Sequence, residues 1–187
     1  CGDRRLASID VLLQAIARSG RHALKHHLAR LGYTVERIDL DKVYERFLIL
    51  ADAKKEIRDD DILLLMSDET EKNYKNGLMI QLLHVTCGDQ SCPEAVVKLN
   101  FNGIEHEAKS RGNGPVNATI KAIESIIGRI VEIKEFNIQA MNGGSDDVSK
   151  VDMRVMYEDK SYMGYGFSTD IVRASANAYL DALNKFV

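Results

Sequence analysis

The chain has 187 residues, 45% hydrophobic and 28% charged, with a net charge of −3. That is enough chain for one or two modest cores, and 25 basic residues against 28 acidic ones exclude a polyanion binder by composition. No apolar run approaches the ~20 residues of a membrane-spanning helix, and no signal-peptide pattern follows Arg4 and Arg5, so a cytoplasmic protein without membrane partners is expected.

Residues 1–18 carry apolar positions at helical spacing, Ile9, Leu12, Leu13 and Ile16. A helix opens at Ser19-Gly20-Arg21, with Leu24, Leu28 and Leu31 on one face and Gly32 as its stop. His22, His26 and His27 lie in it, and with no carboxylate at zinc-protease spacing they read as solvated basic residues. Asp39 or Asp41 caps the next helix, whose stripe is Val43, Phe47, Leu48, Leu50 and Ala51. Asp59, Asp60 and Asp61 precede a third helical segment at 62–66, where capping and the helix dipole explain three aspartates more simply than Mg²⁺ does. Residues 1–76 are thus expected to form a small helical subdomain, with 1–18 unassigned and the polar stretch 67–76 as its boundary.

From Gly77 the period changes from helical to alternating. Strands are expected at 79–85, 95–101 and 104–109, with a hairpin at Asn102-Gly103, followed by a helix from Pro115 to Ile127 that ends at Gly128. The same order then repeats. Strands at 131–141, 151–157 and 162–167, joined by the loop 142–147 and the turn Glu158-Asp159, lead through Ser168-Thr169-Asp170 into a helix at 171–186. Gly164-Tyr165-Gly166 matches Gly112-Asn113-Gly114, and the small face Ala174, Ala178, Ala182 matches Ala118 and Ala122. The fold class is α+β: a helical subdomain and a domain at 77–187 made of two β-β-β-α units, 77–128 and 129–187.

The turn at 112–115 is the chemically suggestive stretch. Gly112 and Gly114 permit positive φ and Pro115 suits a first helical turn, so backbone N–H groups point outward toward a carboxylate or phosphate. An apolar wall of Val116, Ile133, Phe136, Ile138 and Ala140, with Asp146 or Asp147 to meet an amino group, would complete a pocket for a small amphiphile.

Ser19-Gly20-Arg21-His22-Ala23-Leu24, Gly112-Asn113-Gly114-Pro115-Val116-Asn117-Ala118, and Gly164 to Val172 followed by Ala174-Ser175-Ala176 together resemble the C-terminal part of the 2-isopropylmalate synthase family. The resemblance covers roughly residues 19–187. It implies an enzyme that condenses acetyl-CoA with 2-ketoisovalerate on a TIM barrel with a divalent metal, of which this part is the leucine-sensing feedback region and a dimer interface. By motif position it places Gly112, Gly114, Pro115, Val116 and Asn117 around the backbone end of leucine, and Ile133, Phe136, Ala140, Gly143, Gly144, Asp146 and Asp147 around the rest. The expected partners are leucine, a second copy of the chain and the catalytic barrel. The barrel's His-x-His and Arg-Asp-Gly signatures are missing, and Ile16-Ala17-Arg18 stands where the family usually has Gly-Lys-His, so the chain alone is expected to be non-catalytic.

Other readings have less behind them. The isoleucine-sensing domain of citramalate synthase is a relative whose turn and second-unit motifs look less like these. A double-stranded RNA-binding module needs lysines clustered at the helix start, and only Lys121 follows the turn closely, so no nucleic acid is expected. Cys87, His84 and His106 are the only candidates for independent catalysis, and their spacing does not call for it. Three cysteines make no disulfide framework, and a zinc site needs about four ligands, so neither metal nor cofactor is expected in this chain.

Overall fold

The computed structural model describes residues 20–31, 33, 35–54, 57, 59–68, 77–140 and 148–187. The expectations for 1–18, the stop at Gly32, the boundary beyond residue 68 and the loop 142–147 lie outside the described residues. The chain divides into two compact units, Cys1–Lys75 and Asn76–Val187.

In the first unit, α1 (Arg21–Arg30), a short 3-10 turn (Val35–Arg37), α2 (Leu40–Ala53) and α3 (Asp59–Asp68) follow one another. Leu24, Leu28, Val43, Phe47, Ile62 and Met66 are buried, as the helical spacing of apolar residues requires. Asp39 occupies the N-cap of α2 without a capping hydrogen bond, and the three aspartates sit inside the first turn of α3 rather than before it. One histidine departs from expectation. His22 and His26 are exposed, but His27 is buried, its Nε2 lying 2.9 Å from Asp59 Oδ1 without the alignment of a hydrogen bond. Burial holds its pKa below the usual 6.5, against the opposing pull of Asp59. Residue i+3 of Leu24 simply turns onto the same covered face, so position on the helix overrode the polarity of the side chain.

The second unit contains the duplication. Strands β1 (Met79–Gly88), β2 (Ser91–Phe101) and β3 (Ile104–Arg111) form one antiparallel sheet in that order, and α4 (Pro115–Ile127) packs on β2 and β3. Strands β4 (Glu132–Ala140), β5 (Ser149–Tyr157) and β6 (Lys160–Ser168) form the other, and α5 (Ile171–Leu183) packs on β5 and β6. The central strands alternate strictly: Ala95, Val97 and Leu99 of β2 and Val151, Met153 and Val155 of β5 are buried. The outer face of the first sheet is charged instead, with Lys98 pairing Glu105 and Glu107, and Glu94 pairing Lys109 and Arg111. One core joins the two copies, running from Ile80, Leu99 and Ile123 through Val151 and Met153 to Tyr179 and Leu183.

Counting outward from the helix N-caps, Gly114 and Asp170, the copies superimpose residue by residue in sequence. Ala118 falls opposite Ala174 and Ala122 opposite Ala178. Thr119 and Ser175 each donate a hydroxyl hydrogen bond to the carbonyl four residues back, on Pro115 and Ile171. The hairpin tips match too, with positive φ at Asn102 and Gly103 in one and at Glu158 and Asp159 in the other.

This register corrects the pairing of the two Gly-x-Gly motifs. Gly164 and Gly166 lie inside β6, opposite Ala108 and Ser110 of the first copy rather than Gly112 and Gly114. Their reason is close approach: a Cβ on Gly164 would overlap the carbonyl of Ala178, and one on Gly166 the carbonyl of Ala174. The helix α5 therefore lies directly on the backbone of its sheet.

Asp181 of α5 and Lys185 just beyond it contact the open edge of β6. Tyr165 N–H donates to Asp181 Oδ2 at 3.0 Å, and Lys185 Nζ donates to Met163 O, within a buried Asp181–Lys185 pair at 3.2 Å. Burial lowers the Lys185 pKa, with Asp181 opposing. Occupied donors and acceptors cannot recruit another strand, so this edge is closed to sheet extension. Beyond the helix, Asn184 mimics a strand residue, accepting from Leu78 N–H at 2.7 Å and donating to Leu78 O at 3.1 Å, which ties the entry to β1 to the end of α5. In the opposite joint Glu124 Oε1 accepts from Val131 N–H and the Tyr179 hydroxyl, at 3.2 and 3.1 Å. Burial, then the neighbouring Glu124 carboxylate, pushes the Tyr179 pKa far up, so the phenol stays a donor.

Candidate functional site

The chain leaves β3 at Arg111 and enters α4 at Pro115. Gly112 is buried and donates its N–H to Pro93 O at 3.0 Å. A Cβ there would overlap Ala118 N and stand 2.7 Å from Asn117 Oδ1, so glycine lets the first helical turn fold back onto the strand end. Asn117 Oδ1 accepts from Asn113 N–H at 3.2 Å and fixes the turn.

The expected positive φ is not the reason for either glycine. Among the described residues the positive-φ glycines are Gly20, Gly103 and Gly128, whereas Gly114 is extended at φ −164° and ψ 167°. Any residue adopts that conformation, and a Cβ on Gly114 would meet nothing within 4 Å. What Gly114 contributes is the absence of a side chain. It is the N-cap of α4, no side-chain capping hydrogen bond is made there among the described residues, and Pro115 follows at the first helical position. The positive end of a 13-residue helix thus carries no side-chain cap among the described residues, on half-buried Gly114, Pro115, Val116 and Asn117.

The second copy fills the same place with its own anion. Asp170 Oδ1 accepts from Val172 N–H at 2.8 Å and Arg173 N–H at 3.4 Å, while Ser168 Oγ accepts from Asp170 N–H at 3.1 Å. A carboxylate is thus already seated on α5. The sequence carried this signal in Gly114 against Asp170, but the wrong pairing of the glycine motifs hid it.

Nearby groups missed in the sequence are Cys92 and Glu94. Cys92 Sγ donates to Gly112 O at 3.4 Å, which links the β1–β2 hairpin to the turn. Glu94 accepts from Lys109 at 2.6 Å and Arg111 at 3.1 Å, and those cations hold its carboxyl below the usual range. Arg111, adjacent to the turn, is thereby engaged on the charged outer sheet face.

The remaining expected contacts belong to β4, which packs on β5 rather than on α4. Ile133, Phe136, Ile138 and Ala140 pair with Val155, Met153, Val151 and Ser149, so they share the inner face of the second sheet. The helix α5 covers β5 and β6, and the β4 stripe runs past it: Phe136 is 40% and Ile138 44% exposed. Gly143, Gly144, Asp146 and Asp147 lie outside the described residues. No group of three or more His, Cys, Asp or Glu that could hold a metal occurs among the described residues, and none of their helices is long and apolar enough to cross a membrane.

A sequence profile of the LeuA allosteric (dimerisation) domain matches residues 56–187, which include the whole duplicated unit. The chain belongs to the LeuA allosteric domain family. Its relatives include the 2-isopropylmalate synthase of Parabacteroides distasonis, 45% identical over 95% of this chain and 35% of that protein. Those of Heliobacterium modesticaldum and Aquifex aeolicus are each 40% identical over 90% of this chain and 33% of theirs. The LeuA-type chain therefore spans about a third of the length of the curated relatives it matches. The resemblance drawn from the glycine and alanine motifs agrees with these matches, and the citramalate synthase alternative is not favoured by them.

Proposed function

We propose that residues 77–187 are the feedback regulator of a 2-isopropylmalate synthase, with 1–76 as the helical linker to a catalytic TIM barrel. Leucine is the effector, and its carboxylate sits on the bare start of α4, among Gly112, Gly114, Pro115, Val116 and Asn117. The observation that carries this reading is the contrast of caps: the N-terminus left empty by Gly114 is the one that Asp170 fills in the copy. Ile133, Phe136 and Ala140, with Gly143, Gly144, Asp146 and Asp147, serve the aliphatic and amino ends. A second copy of the chain covers the exposed β4 stripe, since apolar surface of this kind marks an interface. The chain needs no metal or cofactor of its own and does not consume acetyl-CoA alone; a cytoplasmic setting goes with that role.

Regulation requires leucine to bind the less active arrangement of the enzyme more tightly than the active one, because equal affinity shifts nothing. Calorimetry of this chain with leucine, isoleucine and valine tests the reading directly. Selective leucine binding is expected, and Gly114→Asp is expected to weaken it at least about tenfold by seating a competing carboxylate on the same N–H groups. Selective isoleucine binding would transfer the domain to the citramalate branch. Unchanged leucine affinity in Gly114→Asp would remove the turn from the site, and no heat with any of the three would overturn the reading for this chain.

A further inference from the structure

The β1–β2 hairpin carries two thiols at facing positions. Thr86 pairs with Glu94 and Gly88 with Ser91, so between those pairs β1 has one residue, Cys87, and β2 has two, Cys92 and Pro93. This is a β-bulge, in which two residues of one strand oppose one of the other. The two-residue turn Asp89-Gln90 closes the hairpin just beyond, so the opposition of the cysteines is fixed locally. Residues opposed across an antiparallel pair stand about 4.5–5.5 Å apart at Cα, inside the span of about 4.4–6.8 Å that a disulfide bridges. Both cysteines are free and exposed, so a small oxidant reaches them.

The Cys92 thiol also has a structural task. β2 is the central strand of its sheet, with β1 on one side and β3 on the other. Cys92 Sγ donates to Gly112 O, just beyond β3, at 3.4 Å, and Gly112 N–H donates to Pro93 O at 3.0 Å. Cys92 and Pro93 thus hold Gly112 by both its backbone groups, and Gly112 opens the turn that Asn117 Oδ1 fastens at Asn113 N–H. A disulfide sulfur has no hydrogen to donate. The Cys92 sulfur therefore serves either the carbonyl on the β3 side or Cys87 on the β1 side.

We propose that Cys87 and Cys92 are a reversible dithiol–disulfide switch: oxidation bonds the Cys92 sulfur to Cys87, takes its hydrogen from the Gly112 carbonyl and loosens the glycine turn. The oxidant is a small-molecule disulfide such as oxidised glutathione. One protein thiolate attacks it, forming a mixed disulfide and releasing one glutathione thiol; the second protein thiolate attacks the mixed disulfide at the protein sulfur and releases the other. One S–S bond breaks and one forms. The protein loses two electrons and two protons, and oxidised glutathione gains them. The switch acts on the turn itself, whatever ligand the turn binds.

The full chain carrying Cys1→Ser, which leaves Cys87 and Cys92 as its thiols, is equilibrated with mixtures of reduced and oxidised glutathione, quenched in acid and mapped by mass spectrometry. An intrachain Cys87–Cys92 disulfide, two hydrogens lighter and free of glutathione, is expected at the oxidising end and is lost on adding dithiothreitol. With Cys92→Ser in addition, Cys87 is expected to retain glutathione, because no neighbouring thiol resolves the adduct. Hydrogen exchange followed by NMR is expected to run about two- to fivefold faster at the Gly112 and Asn113 amides in the oxidised chain than in the reduced one, the factor that a weak S–H hydrogen bond sets. Cys92→Ala, which lacks the donor, is expected to match the oxidised rates, and Cys92→Ser, which keeps a hydroxyl donor, the reduced ones. Stable glutathione adducts on both cysteines, disulfides between chains, or a Cys87–Cys92 disulfide that leaves exchange at Gly112 and Asn113 unchanged would each overturn the proposal.

Discussion

The two β-β-β-α copies of this chain share a fold and differ at the start of the helix and on the strand beneath it. In the first copy the helix rests on Ala108 and Ser110 and begins at a bare glycine; in the second it rests on Gly164 and Gly166 and begins at an aspartate that caps it. The second is built for tight packing and internal satisfaction: capped helix, closed β6 edge, helix backbone on strand backbone. The first begins its helix without a side-chain cap among the described residues. Duplication has kept the architecture while the second copy alone has a helix capped by its own side chain.

The strongest way to break this comparison is to exchange the strand residues beneath the helices. Gly166→Ala is expected to cost about 3 kcal/mol, since its Cβ overlaps helix backbone that cannot yield like a side chain. Its counterpart Ser110→Ala should stay within about 0.5 kcal/mol, and urea unfolding of both variants measures the difference. Similar costs would mean that the helices sit alike.

Exchanging the hairpin tips gives a smaller effect of opposite sign. Glu158 and Asp159 have φ of 48° and 59°, where the first copy uses Asn102-Gly103. Replacing them by Asn-Gly is expected to raise stability by about 1 kcal/mol, because the left-handed region is costly for most L-residues and glycine enters it freely. A higher thermal midpoint checks this.

Transplanting the cap sharpens the functional half of the comparison. Without leucine, Gly114→Asp should raise stability by only a few tenths of a kcal/mol, because glycine is itself a tolerable N-cap. Asp170→Ala should cost about 1 kcal/mol. A Gly114→Asp protein that is as stable as the parent and blind to leucine would separate binding from folding; one that unfolds would show Gly114 to be structural.

The smallest effect concerns the helical unit, against which the duplicated unit serves as the reference. The lowered pKa of His27 favours the neutral ring in the folded state, so its contribution is present above the unfolded value of 6.5 and is lost as pH falls through the lowered folded value. Desolvation dominates, with Asp59 opposing it and Arg30 and His26 adding to it. Hydrogen exchange, corrected for intrinsic rates, should show α1 losing protection as pH drops below 6.5, and His27→Gln should flatten that slope.

Much of this was legible before any coordinates. The boundaries of α4 and its stop at Gly128 followed from Pro115 and the terminal glycine, which adopts φ 68°. The turns at Asn102-Gly103 and Glu158-Asp159 followed from their place between alternating runs. The glycine roles were not legible, because a glycine needed for positive φ and one needed for close approach look alike in sequence. His27 likewise reads as a polar helix residue until the neighbouring helices bury it. The candidate site was legible as a motif at 112–118, whereas its empty cap needed the register of the two copies to become meaningful.

Composition, period and punctuation, all local properties of the chain, determined the α+β class and the duplication, and the resemblance of its motifs pointed to the family. Which face each helix covers, which strand edge is closed and that β4 extends its apolar stripe beyond α5 were decided by tertiary structure alone. They depend on contacts between residues as far apart as Leu78 and Asn184, and no local pattern encodes those distances.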